Sequence, residues 1–456
     1  MSESNPQNRV SAALEYLAKF TNYERNARYA YTGAAMNLER VRRLLAAAGS
    51  PEKGLPAVHL AGTKGKGSTA RMVHSILSAA GYRAGLYTSP HLVSQNERIL
   101  VNEETITDRD LAEAVEALRP GVDAVHAAPE LGELTYFEFI TAIAFYHFAK
   151  KDVDYAVLET GLGGRYDATN VCEPLVAVLT PISFDHMDLL GDTLAKIAAE
   201  KAQIIKPGGK VVVAAQPEEA QKIIEARAGE MGAQIFEVEK FYETKLGSIY
   251  PFEMSFDLIG RRKLAGLKTR MVGPVQMQNA ATAVLACDLL AEAGAKISDD
   301  TIRYGLARAR LAGRFSPVEF AGRTLVLDGA HNAASAKALA ETLALVYPGR
   351  ERTFKFIIGV GGDKDLAGFL GALKPLFSSV IVTQARHPRA ASPGALISAL
   401  GTYGGAVTVA PDIETALGKI SSFTKPGEIV IVTGSFFLIG EAISWLISRE
   451  LDIQIP

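Results

Sequence analysis

The chain has 456 residues, 48% of them hydrophobic, and a formal net charge of −2. That length accommodates two or three domains at roughly 150 residues each, and so balanced a charge excludes the broad electrostatic grip of a nucleic-acid binder. Cys172 and Cys287 are too far apart for CxxC metal spacing or a disulfide framework and fit a reducing, cytoplasmic setting, while the polar start MSESNPQNRV and the lack of any long apolar run predict neither secretion nor a membrane span.

VSAALEYLAKF, near the start, reads as one helix. VHLA (58–61) is a short apolar run closed by glycine, the pattern of a buried strand. STARMVHSILSAAG (68–81) places Met72, Val73, Ile76, Leu77 and Ala80 at helical spacing and stops at glycine. RAGLYTS (83–89), DYAVLE (154–159), LVAVLT (175–180) and KVVVAA (210–215) read as further strands, with helices TYFEFITAIAFYHFAKK (135–151) and TLAKIAAEKAQIIK (193–206) among them. Strands separated by helices predict a mostly parallel sheet covered on both faces. Residues 234–272 alternate more strongly and suggest antiparallel strands added to that sheet, followed by a helix at MQNAATAVLACDLLAEAG (277–294).

The pattern breaks at LAGRFSP and restarts with TLVLDGA, TFKFIIGV, SVIVTQA, AVTVA and EIVIVTG, each followed by a turn or a helix. The expected organisation is therefore α/β throughout. A P-loop-type, mostly parallel ATPase domain spans 1–310, and a smaller Rossmann-like domain spans 311–456. Ligands of such sheets bind at the carboxyl ends of the strands, and two domains create a cleft suited to two-substrate chemistry.

The chemistry gathers at strand ends. In HLAGTKGKGST, Gly62, Gly65 and Gly67 let the backbone turn and offer N–H groups to an anion, with a helix N-terminus behind them. Thr63 and Lys64 belong to the same loop. Lys66 supplies an ammonium for outer phosphates, and Ser68 and Thr69 place hydroxyls in the first helical turn. The loop departs from the usual P-loop, in which Ser or Thr follows Gly-Lys directly; a turn with solvated lysines is the alternative reading. Glu159 follows one strand, and Asp185, His186 and Asp188 follow another. Hard oxygen ligands beside a triphosphate suit Mg²⁺, although any one of these side chains alone would as readily be solvated. Lys201 reads as a surface lysine. In LDGAHN, Asp328 and His331 follow a strand and Asn332 is placed to cap the next helix. GVGGDKD forms a weaker glycine turn in which Lys364 and Asp365 start a helix.

HLAGTKGKGST, GLYTSPHL, NERI, ETGLGGRYDATN, ISFDHMDLLGDTLAKIAAEKAQIIK and LDGAHN occur in this order. Over about residues 35 to 440 the chain resembles the folylpolyglutamate synthase/dihydrofolate synthase family of Mur-type ATP-dependent ligases. The resemblance implies that Gly-Lys-Gly-Ser is the family's version of the phosphate loop, with Lys66 its phosphate lysine. Ser89, Glu159 and His186 match positions that hold two Mg²⁺ ions, and Lys201 matches a lysine that is carbamylated beside the second. Gln276 and Asn279 match a Q-x-x-N pattern near adenine, although Val275 stands where the family usually has His. Arg314, Asp328 and His331 match nucleotide contacts from the second domain. Asp167 and Ala168 resemble a pterin-binding segment, and Pro90 and His91 lie in a segment resembling a mobile folate-side loop.

The implied activity is ATP-dependent addition of L-glutamate to folates, and also to dihydropteroate, through an acyl phosphate, by a monomer. A monofunctional folylpolyglutamate synthase or another Mur-type ligase is the alternative. A cell-wall Mur ligase fits poorly, because roughly 55 residues before the glycine loop are too few for a further domain. A P-loop kinase and a non-catalytic nucleotide scaffold are the rivals outside the family.

Overall fold

A computed structural model describes residues 6–24, 36–350 and 352–451, so the starting segment MSESN lies outside the described residues. Eight strands build the first sheet: β1 (Ala57–Ala61), β2 (Ala84–Tyr87), β3 (Ile99–Val101), β4 (Glu104–Thr105), β5 (Tyr155–Glu159), β6 (Val176–Leu179), β7 (Lys210–Val213) and β8 (Gln234–Glu237). Their order is β4-β3-β2-β5-β1-β6-β7-β8. All pairings from β2 to β8 are parallel, while β3 and β4 form an antiparallel edge that the sequence reading lacks.

All five residues of β1 are buried, as a central strand between two helical layers requires. The helix Lys66–Ala79 buries Met72, Val73, Ile76 and Leu77 against it, each such side chain contributing about 1.5–3 kcal/mol. The helix expected over 193–206 ends at Lys201 and tightens into a 3₁₀ turn, Ala202–Ile204. The backbone is extended at Ile205, and Pro207 keeps the helix from resuming at Lys206.

The alternating region does not extend the main sheet. Only β8 joins it, and in parallel. The short helix Val238–Phe241 then diverts the chain into a separate antiparallel sheet of β9 (Tyr242–Ile249), β10 (Met254–Gly260) and β11 (Lys263–Thr269). Its alternation is real: Met254, Phe256 and Leu258 face inward into the core shared with the helix Pro274–Glu292.

A six-stranded sheet follows, formed by β12 (Ser316–Phe320), β13 (Arg323–Asp328), β14 (Phe354–Ile358), β15 (Phe377–Val382), β16 (Ala406–Val409) and β17 (Ile429–Thr433). Its order is β12-β13-β17-β14-β15-β16, parallel except at the β12 edge. Two cores, one on each face, hold it between helices. Among the described residues no helix is long and apolar enough to cross a membrane.

Candidate active site

β1 delivers the chain into the glycine loop at the carboxyl edge of the first sheet. Gly62 has φ 152°, and a Cβ there would lie 1.9 Å from Thr180 Oγ1. Gly65 has φ 83°, and its Cβ would lie 2.4 Å from Asn279 Oδ1. Both positions therefore exclude side chains on conformational and steric grounds. The Thr63 and Lys64 amides donate to Pro181 O at 3.0 and 3.1 Å, and Thr63 Oγ1 bonds Ser183 O at 3.1 Å. These contacts lash the loop to the end of β6. The first-turn amides of the helix Lys66–Ala79 have no partner one turn back and point at the cavity end of the helix.

Lys66 Nζ rests on Gly62 O at 3.2 Å, curled over the loop. Glu159 is buried at the end of β5 and accepts the Ser89 N–H at 3.2 Å. Its burial pushes its carboxyl pKa up, against the pull of Lys66. A desolvated carboxylate oxygen beside a serine is a donor set that Mg²⁺ fits, since this ion takes few protein oxygens and completes its shell with water and phosphate. Among the described residues no three His, Cys, Asp or Glu side chains form a metal cage.

Asp185 and His186 follow β6. His186 takes left-handed backbone, φ 51°, and is substantially exposed. The ring nonetheless stands within the cleft, where desolvation, with Lys364, Lys201 and Lys66 nearby, lowers its pKa to about 4 and favours the neutral imidazole that can bind a cation. Asp185 is a junction. Lys64 Nζ lies 3.2 Å away, Lys364 Nζ 3.4 Å, His331 Nε2 3.9 Å and His186 Nε2 4.0 Å. Burial opposes its ionisation, yet His331, Lys64, His186 and Lys364 hold the carboxyl far below its ordinary range. The ammonium of Lys64, two residues before Lys66, therefore reaches Asp185.

Lys201 is no surface lysine. Its side chain is buried, and desolvation, with Lys66 nearby, lowers its pKa to about 7. Gly164 makes this possible, since a Cβ there would lie 2.8 Å from the carbonyl oxygens of Glu200 and Lys201.

Gln276 and Asn279 sit one turn apart on the helix Pro274–Glu292. Asn279 Nδ2 donates to Gln276 Oε1 at 2.9 Å, and Asn279 backs the glycine loop at Gly65. Val275, at the same helix end, is 46% exposed and lines the cavity. The second sheet contributes Asp328, whose carboxylate accepts the Phe315 and Ala330 amides at 2.8 and 2.9 Å. Burial raises its pKa. Arg314 lies over the Phe436 ring at 4.2 Å. His331 Nδ1 donates to Gly329 O at 2.8 Å, which turns Nε2 towards Asp185. Asn332 caps the following helix through Ser335 N.

One cavity of about 630 Å³ joins these groups. Thr63 to Ser68, Ser89, Pro90, Glu159 and His186 line it from the first unit, and Arg314, Asp328 and His331 from the second. Asp167 and Ala168 line it too, near Phe137 and Tyr166. Gly62, Thr69, His91 and Lys201 are not on its wall. Gly62 and Thr69 anchor the ends of the loop, and His91 accepts the Arg98 Nε–H at 2.8 Å. Sequence reasoning missed Lys364, His387, Arg389 and Phe436 as cavity residues. The first three follow strand ends in GGDKD and ARHPR, so the strand-end rule that found Asp328 was able to find them.

This arrangement is that of a Mur-type ATP-dependent ligase. The profile of the Mur ligase middle domain matches residues 60–287, and that of the Mur ligase, glutamate ligase domain, matches residues 313–436. The chain is 35% identical to the dihydrofolate synthase/folylpolyglutamate synthase of Bacillus subtilis (strain 168), over 90% of this chain and 94% of that one. Its fold resembles the crystal structure of a Thermotoga maritima folylpolyglutamate synthase, with TM-score 0.83 and 33% identity, covering 98% of this chain and 99% of that one. It also resembles a Mycobacterium tuberculosis folylpolyglutamate synthase complexed with ADP, with TM-score 0.85 and 32% identity, covering 96% and 98%. The chain belongs to the folylpolyglutamate synthase/dihydrofolate synthase family.

Proposed function

We propose that this protein is an ATP-dependent ligase that adds L-glutamate to folates and, as the paired names of its relatives suggest, also to dihydropteroate. The observation that carries the reading is one cavity of about 630 Å³ lined together by the glycine loop, by Arg314 and Asp328, and by Asp167 and Ala168 of the YDAT segment. The reaction asks little covalent chemistry of the chain. ATP phosphorylates the acceptor's carboxylate, the glutamate amine attacks the acyl phosphate, and phosphate leaves. The protein must position three substrates, neutralise spreading charge and exclude water.

In this reading residues 1–310 form the ATPase domain and 311–456 the glutamate-ligase domain. The first-turn amides and Lys66 hold the outer phosphates, with Ser68 and Thr69 beside them. Gln276 and Asn279 lie at the adenine side, and Arg314, Asp328 and His331 close on the nucleotide from the second domain. Asp167, Ala168, Pro90 and His91 form the acceptor side. Ser89 and Glu159 would hold one Mg²⁺ and His186 a second; when bound, the ions supply charge neutralisation at the phosphates. The low pKa of Lys201 keeps much of its amine uncharged, the form that attacks CO₂ to give a carbamate and a proton, which supports carbamylation beside the second ion. Buried free thiols at Cys172 and Cys287 support a reducing, cytoplasmic location, and we take the active form to be a monomer.

The test is direct. The protein is incubated with MgATP and L-glutamate plus dihydropteroate or, separately, tetrahydrofolate. Phosphate release and a product heavier by one glutamate are expected. Release with neither acceptor refutes the assignment.

A further inference from the structure

His59 is a histidine in the middle of a fully buried strand, three residues before the glycine loop, and the mechanism above gives it no task. Its Nε2 lies 2.8 Å from Thr169 Oγ1. Thr169 Oγ1 lies 2.5 Å from Asp167 Oδ1, and the Thr169 amide donates to that same oxygen at 3.0 Å. Asp167 Oδ2 accepts the Leu162 amide at 2.9 Å. His59 and Thr169 are fully buried, and Asp167 lines the cavity.

Proton counting fixes the direction of this chain. Burial raises the Asp167 pKa, but amide donors on both of its oxygens favour the ionised carboxylate, and the Thr169 hydroxyl donates to it. A hydroxyl has one proton, so towards His59 it accepts, and His59 must donate from Nε2. A neutral imidazole carries one N–H, which leaves Nδ1 bare. His59 Nδ1 is indeed a buried nitrogen with no hydrogen-bond partner among the described residues. An unpaired buried acceptor lowers stability, and a leucine on this strand would avoid that loss. Helix capping by Asp167 accounts for the Thr169 amide but not for the histidine.

Resting on the reading of this cavity as the acceptor pocket, we propose that His59 and Thr169 are positioning residues for that pocket. His59, as the Nε2–H tautomer, aims the Thr169 hydroxyl, and that hydroxyl pins Asp167 so that Oδ2 faces an N–H donor on the acceptor's ring. Because His59 stands on β1, the strand that feeds Gly62, the chain also ties the acceptor side to the phosphate loop.

Four variants test this: His59→Leu, His59→Gln, Thr169→Val and the His59→Leu/Thr169→Val pair. Thr169→Val keeps the side-chain shape, and glutamine keeps a donor near the Nε2 position, so the set survives poor folding of His59→Leu. In phosphate-release assays, His59→Leu and Thr169→Val should each raise KM for the folate-type acceptor about tenfold, with KM for ATP nearly unchanged. His59→Gln should stay close to the parent, and the pair should be no worse than Thr169→Val alone, because one chain is broken once. An equal rise in every KM, an unchanged acceptor KM, or His59→Gln as impaired as His59→Leu overturns the proposal. A parent inactive with every folate acceptor refutes the functional reading instead. The chain itself is then judged by ¹⁵N NMR of His59: an Nε2–H tautomer in the parent sustains it, and an Nδ1–H tautomer or an imidazolium at neutral pH overturns it.

Discussion

The two parallel sheets present the same edge to the cavity but use it differently. On its phosphate side the first sheet holds its ionic groups by bonds within its own unit: Lys66 on Gly62 O and Glu159 on the Ser89 amide. Glu159 is buried and Lys66 is part-buried, so both groups are held in place before any substrate arrives and need little reorganisation. The second sheet anchors Asp328 internally but sends His331 and Lys364 outward, across to Asp185 of the first unit. On the proposed function, the first edge would neutralise charge from a fixed framework, and the second would act through its reach across to Asp185. If this division is right, damage to the first edge should strike kcat, and damage to the contacts between the edges should strike substrate affinity.

The largest effect expected is at Lys66. Lys66→Ala should lower kcat for glutamate-dependent phosphate release at least about 100-fold, ~2.7 kcal/mol of barrier, as removal of one preorganised charge-stabilising donor does. Turnover within tenfold of the parent would remove Lys66 from the role given to it and level the two edges. Lys201 comes next. Lys201→Arg keeps a cation but cannot offer a neutral amine at neutral pH. A loss of about 30-fold in kcat is expected, together with reversible inactivation of the parent when CO₂ is stripped from the buffer. Full activity of Lys201→Arg would show that the buried lysine acts only as a positive charge.

The sequence displays the first edge far better than it displays the closure. A glycine loop after an apolar run, with a helix behind it, is a local pattern, and local patterns are legible. So are the strand-end positions of Glu159, His186 and Asp328, because strand direction follows from alternation with helices. Lys201 is not legible: its burial depends on Gly164, 37 positions earlier, bringing two backbones together. The junction at Asp185 joins residues 64, 185, 331 and 364, and no periodicity predicts that convergence. Alternation does not place the separate sheet β9–β11, because it reports a half-buried strand without saying which sheet that strand joins. The His59 chain fails to show for the same reason: a lone histidine in an apolar strand looks like core.

Asp185→Asn tests the closure. Exposed ion pairs are worth ~0.2–1 kcal/mol each, and the pairs here are part-buried and converge on one carboxylate. Losing them together should raise KM for ATP about tenfold, with a smaller change in kcat. Raised salt should weaken the parent's affinity for ATP more than that of the variant. Equal KM values for parent and variant would mean that the second domain closes without this contact, and the comparison of the edges would lose its second half.

The last effect is in stability, small for each group, and it separates the two units. Burial lowers the pKa of His59 and of His74 from 6.5 to about 3, with Lys206 and Arg71 pushing the same way, and that of His147 to about 4. All three lie in the first unit. Unfolding frees each to bind a proton at its ordinary pKa, so between pH 6.5 and the folded value the unfolded chain holds more protons. Stability therefore falls as pH falls, by about 0.7 kcal/mol per histidine between pH 7 and pH 6. In the second unit, burial also lowers the pKa of His331, but Asp185 pulls the other way. Trp445, the only tryptophan, packs on Phe320 in the second unit and reports that unit alone. In urea titrations at pH 7 and pH 6, far-UV circular dichroism should register the acid loss more strongly than Trp445 fluorescence does. If both probes shift together, the units unfold as one and their separate charge economies do not reach stability. If only the circular dichroism shifts, the first unit bears the acid sensitivity of its buried histidines by itself.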